Sequence, residues 1–105
     1  MLHKIRTILT SLKFKKAVRF LFNAPALTLL SRNAFNKLPN SQLQLAEYHL
    51  IETKNFIEAY AWASVACCRE VLGAYAVKKK AEENLKPEQI KVAWDKARLY
   101  KKNFL

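Results

Sequence analysis

Two histidines, two cysteines and a few serines are the residues of this chain that could ligate a metal or attack a substrate. Their spacing supports neither. His3 and His49 are far apart, and neither stands at metal-ligand spacing from a Cys, Asp or Glu. Glu47 and His49 are two residues apart, so a helix turns them onto different faces. Cys67 and Cys68 are adjacent; on a helix they point about 100° apart, which forbids an ordinary disulfide between them. Two thiolates without further ligands also fall short of a zinc site. They read as small core or near-core residues in a reducing compartment. Ser31, Ser41 and Ser64 lack the strained turn that exposes a nucleophile, and one glycine cannot build a phosphate-cradling loop. The expectation is a chain with no catalytic residue, no metal ligand and no cofactor.

Charge is the stronger signal. Nineteen Lys and Arg oppose eight Asp and Glu, for a net charge of +11. Residues 1–40 hold Lys4, Arg6, Lys13, Lys15, Lys16, Arg19, Arg32 and Lys37 and no acid, whereas residues 41–105 are nearly balanced. Such asymmetry points to contact between the basic half and a membrane or nucleic acid. Leu2, Ile5, Ile8, Leu9 and Leu12 lie at helical spacing, and Phe14, Ala17, Val18 and Leu21 continue on a shifted stripe. A basic amphipathic helix of this kind suits an anionic lipid surface, where each basic residue adds about 1 kcal/mol. A structural cap on a helical stack is the plainer expectation for the same pattern and is preferred to the lipid contact. Lys4, Arg6, Lys13, Lys15, Lys16 and Arg19 are the residues expected to meet a surface or partner. Nucleic acid is the weaker expectation, because few aromatics stand among these cations to stack on bases. Lys78-Lys79-Lys80 precedes Glu82-Glu83, so a solvated helix face accounts for it.

No run approaches the ~20 apolar residues of a membrane span. Thr7 to Leu12 is too short and polar for a signal peptide, and the run from Ala17 to Leu30 is split by Arg19. The expected location is cytoplasmic; peripheral attachment to the inner membrane belongs to the membrane alternative, and secretion or a periplasmic location is the weaker expectation.

The elements that must position these residues are helices. The chain has 105 residues, 51% apolar and 26% charged, with one Gly and three Pro. That suits one α-helical domain rather than hairpins of strands. Periodicity, caps and prolines predict helices over 2–23, 25–37, 39–52, 55–70, from after Gly73 to 84, and 87–103. Short connections make successive helices antiparallel neighbours. The aromatics Phe56, Tyr60, Trp62, Tyr75, Trp94 and Tyr100 are expected in the core.

An internal repeat is visible at a spacing of 33 residues, pairing Ala26 with Ala59, Leu27 with Tyr60, Leu29 with Trp62, Ser31 with Ser64, Ala34 with Cys67, Leu38 with Val71 and Ser41 with Ala74. Ala59, Trp62, Ala66, Cys67 and Ala74 follow the pattern of small and aromatic residues in the Sel-one-like repeat, a hairpin repeat related to the tetratricopeptide repeat, and Leu45, Ala46 and His49 stand for its Leu-Gly-x-x-Tyr. Leu85-Lys86-Pro87-Glu88-Gln89-Ile90 is similar to the Leu-Thr-Pro-Glu-Gln-Leu ending of small bacterial members. The usual Gly is replaced by Arg69 or Glu70, and Lys86 stands for the Thr cap. The resemblance covers residues 25–104 and implies a right-handed stack of α/α hairpins, about six helices in all, behind a basic segment at 1–24. It also implies a non-enzymatic protein–protein adaptor or scaffold. A peripheral membrane protein is the second expectation and a nucleic-acid binder the third.

Overall fold

A computed structural model describes residues 24–105. Among these residues the protein is all-helical, without strands. Five helices follow one another: α1 Ala24–Phe35, α2 Pro39–Tyr48, α3 Phe56–Cys68, α4 Ala74–Glu83 and α5 Pro87–Phe104. A π-helical turn, His49–Thr53, runs on from α2, where sequence periodicity predicts unbroken α-helix. Of the six helices expected, the one at residues 2–23 lies outside the described residues, and the count within them is five.

The punctuation is local chemistry. Pro39 and Pro87 stand in the first turns of α2 and α5, where a missing N–H costs nothing. The Asn55 side chain accepts the Glu58 N–H at 3.2 Å and caps α3. Lys86 cannot supply a Thr-type cap, but Gln89 reaches back to accept the Lys86 N–H at 3.0 Å, which keeps half of a capping box. α1 and α3 both end in a left-handed residue, Lys37 at φ 69° and Glu70 at φ 57°. At each end two crossed backbone bonds close the helix: Lys37 to Ala34 and Leu38 to Asn33, then Glu70 to Cys67 and Val71 to Ala66. Lys54 ends the π turn in the same way at φ 54°. Glycine would adopt these angles without strain, yet the one glycine stands at Gly73, φ 90°, ahead of α4.

α3 is the centre. It packs against α2, α4 and α5, while α1 packs on α2. Every residue from Ala59 to Ala66 is buried, so the helix has no solvent face. Ala59, Ala61, Ala63 and Ala66 let neighbouring backbones come close, and Trp62 fills the space between them. Leu30, Ala34, Leu43, Leu45, Ala46, Trp62 and Val77 form one core; Tyr60, Ala81, Leu85, Ala93 and Ala97 form part of the second. The Trp62 ring lies 4.8 Å from Tyr100, 5.0 Å from Phe104 and 5.7 Å from Phe35, distances at which aromatic pairs attract.

Three expectations need correction. Tyr75 and Trp94 are not core residues: they are 70% and 51% exposed, because α4 buries Ala74, Val77 and Ala81 and α5 buries Ala93 and Ala97 instead. The positions paired by the 33-residue spacing do not share an environment. Leu29 is 56% exposed and Trp62 only 2%. The cause is position, since among the described residues α3 is surrounded by three helices and α1 packs on α2. Cys68 is exposed rather than near the core, because it falls on the last turn of α3 where the buried run has ended; Cys67 is half-buried, and both are free thiols.

Truncating Trp62 removes the ring that three aromatics and two alanine-lined helices enclose. Trp62→Ala is expected to lower unfolding free energy by about 3–5 kcal/mol in denaturant titration. A loss below about 1 kcal/mol would show that the surrounding helices close over the gap.

Candidate functional site

Lys4, Arg6, Lys13, Lys15, Lys16 and Arg19, the residues expected to meet a surface, lie outside the described residues. What the fold does bring together is a polar cluster between α3 and α5. Glu58 sits in the first turn of α3, where a carboxylate favours the helix dipole. Tyr100, in the last third of α5, donates its hydroxyl to both Glu58 oxygens, at 2.9 Å to Oε1 and 2.7 Å to Oε2. One turn earlier on α5, Lys96 places its ammonium 3.6 Å from Glu58 Oε1 and 5.9 Å from the Tyr100 ring centre. Burial holds the Tyr100 hydroxyl well above the usual tyrosine range, and the bond to Glu58 and its charge push the same way. Tyr100 is therefore a neutral donor, committed to one acceptor.

His49 belongs to the same electrostatic neighbourhood. Burial lowers its basicity; the Glu58 carboxylate works against that and Lys96 adds to it. Its Nδ1 lies 3.0 Å from Thr53 Oγ1 across the π turn, and Thr53 Oγ1 also accepts the Asn55 N–H at 3.2 Å. The histidine thus braces the turn that leads into the α3 cap. Among the described residues no group of three or more His, Cys, Asp and Glu is placed to hold a metal ion. Burial also raises the Cys67 thiol, more than nearby Lys78 and Lys101 lower it, which leaves less of the reactive thiolate.

Two further features lie on the outside. A groove of about 550 Å³ runs along α1, lined by Leu27, Thr28, Ser31, Arg32, Phe35 and Asn36. Large apolar residues stand exposed on the later elements: Leu72, at 82%, and Tyr75 around the start of α4, and Val92, Trp94 and Leu99 on α5. Among the described residues no helix is long and apolar enough to cross a membrane.

Comparison with protein-family models, with characterised proteins and with solved structures finds no match for this chain.

Sequence reasoning missed the Glu58–Tyr100 tie, whose partners are 42 residues apart. The only hint is Glu58 itself, the third residue after the Asn55 cap. It missed Gln42 as well. This side chain is wholly buried and donates to the Ala34 carbonyl at 3.1 Å and the Phe104 carbonyl at 2.7 Å, while its Oε1 has no partner among the described residues.

These shifts fix how stability responds to pH. His49 has a folded value below its unfolded one near 6.5. The unfolded chain takes up the proton first on acidification, so His49's contribution is whole above about pH 6.5 and is lost as pH falls below it. Tyr100 is raised, so its contribution is whole below about pH 10 and declines as pH rises past that point. Melting temperature should fall on both sides of that window. His49→Gln should flatten the acid limb and Tyr100→Phe the alkaline one. Tyr100→Phe should also cost about 1.5–3 kcal/mol at neutral pH, since it leaves a carboxylate without its donor. Limbs unchanged in the variants would assign the pH dependence to other groups.

Proposed function

We propose that the protein is a non-enzymatic protein–protein interaction module, a helical adaptor or scaffold built in the manner of the Sel-one-like repeats. The observation that carries the reading is where its large side chains are. Alanines fill the contacts between helices, and Leu72, Tyr75, Val92, Trp94 and Leu99 are left on the outside. Tyrosine and tryptophan beside cations are the residue types that anchor protein partners. The charges on the same two helices are mixed: Lys91 and Arg98 pair with Asp95, and Glu82, Glu83 and Glu88 stand exposed as Lys79 and Lys102 do, so the apolar side chains and not the net charge carry the reading. In support, the Glu58–Tyr100–Lys96 cluster spends its donors and charges on itself and serves to join α3 to α5. The stack of hairpins over residues 25–105 is part of this reading, as is a cytoplasmic location.

Affinity capture from the cells of origin tests it, with wild type, Tyr75→Ser and Trp94→Ser run in parallel. At least one variant is expected to lose a captured protein about tenfold or more, equivalent to about 1.4 kcal/mol, while its melting curve stays unchanged. Full retention by both would remove these residues from the contact.

A second reading rests on a separate observation, the eight basic residues and no acid in residues 1–40. On this reading residues 1–24 hold the protein to the anionic inner face of a membrane. Changing Lys13, Lys15, Lys16 and Arg19 together to Gln should then abolish sedimentation with anionic vesicles and leave the helical circular dichroism intact. Raising salt should weaken wild-type binding, because exposed charges are screened over ~8–10 Å. Wild type that stays in the supernatant at low salt would end this reading. Nucleic acid remains the third class, read out as salt-dependent retention on DNA or RNA.

A further inference from the structure

We infer that the outer face of α5 is the seat of a second copy of this chain, the two α5 helices lying antiparallel about a twofold axis between Val92 and Leu99. Ile90, Ala93, Ala97, Tyr100 and Phe104 turn inward to the two cores. The 3.6-residue turn then puts Glu88, Val92, Asp95, Leu99 and Lys102 on the opposite side, at steps of three and four. All five are exposed, Val92 at 50% and Leu99 at 52%. These two apolar residues stand seven apart, the spacing at which one helix offers successive knobs to another. They interrupt a face that is otherwise charged.

The occupant is argued from charge. Glu88 lies in the first turn of α5 and Lys102 in the last, as the helix dipole favours, so the face is acidic at its start and basic at its end. Neither has an ion-pair partner among the described residues. Asp95, at the middle, is held by Lys91 at 3.2 Å and by Arg98 at 3.6 Å, so it brings no net repulsion to the axis. A uniformly acidic or basic partner gains at one end of this face and loses at the other. A second α5 laid antiparallel gains at both ends. Val92 then stands opposite the partner's Leu99, and Glu88 falls within about one residue of the partner's Lys102. A parallel pair would set like charges together at both ends. A contact made by the same patch on both copies closes at two. The footprint is one helix of 18 residues, about 27 Å long and about 10 Å wide, against about 800 Å² per partner in a stable interface. The pair is therefore weak and depends on concentration. The inference rests on the reading of the exterior as a contact surface and names the partner of one face. Trp94 falls on a different side of α5, and Tyr75 is on α4.

Carbodiimide coupling of the full chain, which joins a carboxylate to an amine without a spacer, tests it. Glu88 and Lys102 of one chain are 14 residues apart, about 21 Å along α5, so an amide between them forms only across two copies. In a mixture of ¹⁴N- and ¹⁵N-labelled protein, raised to about 1 mM, peptide mass spectrometry should find a Glu88–Lys102 product of mixed isotope. Its yield should rise with concentration together with the dimer seen in sedimentation velocity. Leu99→Ser should lower both about tenfold or more with the circular dichroism unchanged. Glu88→Lys and Lys102→Glu should each weaken the dimer, and the two changes combined should restore it. A chain that sediments as a monomer throughout would overturn the inference. A dimer indifferent to Leu99→Ser and to the charge exchange would overturn it too, since its contact lies elsewhere. Neither result touches the adaptor reading, which stands or falls on capture by the Tyr75→Ser and Trp94→Ser variants.

Discussion

The burial of α3 on every side is the constraint from which the rest follows. A helix enclosed by three others can be reached closely only where its side chains are small, and this one supplies alanine at four of its eight buried positions. Small residues leave little apolar area to bury per position. The missing volume comes from Trp62 and from the aromatics that converge on it from α1 and α5. That division of labour explains the outside as well. Once alanines make the contacts on α4 and α5, those helices have no inward position left for Tyr75 or Trp94, and both rings face water.

Much of the helical frame is legible in the residues themselves. Pro39, Asn55, Gly73 and Pro87 mark element starts by mechanisms that act within one turn, so no knowledge of the fold is needed to place them. The environment of each aromatic is not local. Leu29 and Trp62 look equivalent in spacing and differ wholly in burial, because burial depends on how many helices surround an element. Single-chain periodicity contains no such count. The π turn at His49–Thr53 is hidden for a related reason: the i,i+4 exchange between His49 and Thr53 uses residues that an ordinary helix end also tolerates. The Glu58–Tyr100 tie joins residues whose individual types suggest only a dipole-favoured acid and a packed ring.

The polar groups inside the fold act on orientation as well as on stability. Tyr100 approaches α3 with its ring against Trp62 and its hydroxyl on Glu58, two contacts at right angles in function: the first sets how near α5 lies, the second how far it is slid along its axis. A hydroxyl aimed at both oxygens of one carboxylate tolerates little sliding. Lys96 and His49 then set the charge environment around that carboxylate, which links the start of α3, the π turn and α5 in one electrostatic unit.

Gln42 has a consequence for how the molecule comes apart. Its single amide nitrogen bonds carbonyls 8 and 62 residues away, near the ends of α1 and α5. Loss of either helix end leaves a buried donor hydrogen idle beside an acceptor atom that already has no partner among the described residues. In linear repeat arrays each unit answers only to its neighbours, and unfolding can start at an end and stop part-way. Here α1 and α5 report to the same side chain, so fraying of one removes support from the other. The described residues should thus lose structure in a single cooperative step, as a closed ring does when one link opens, rather than peel away hairpin by hairpin.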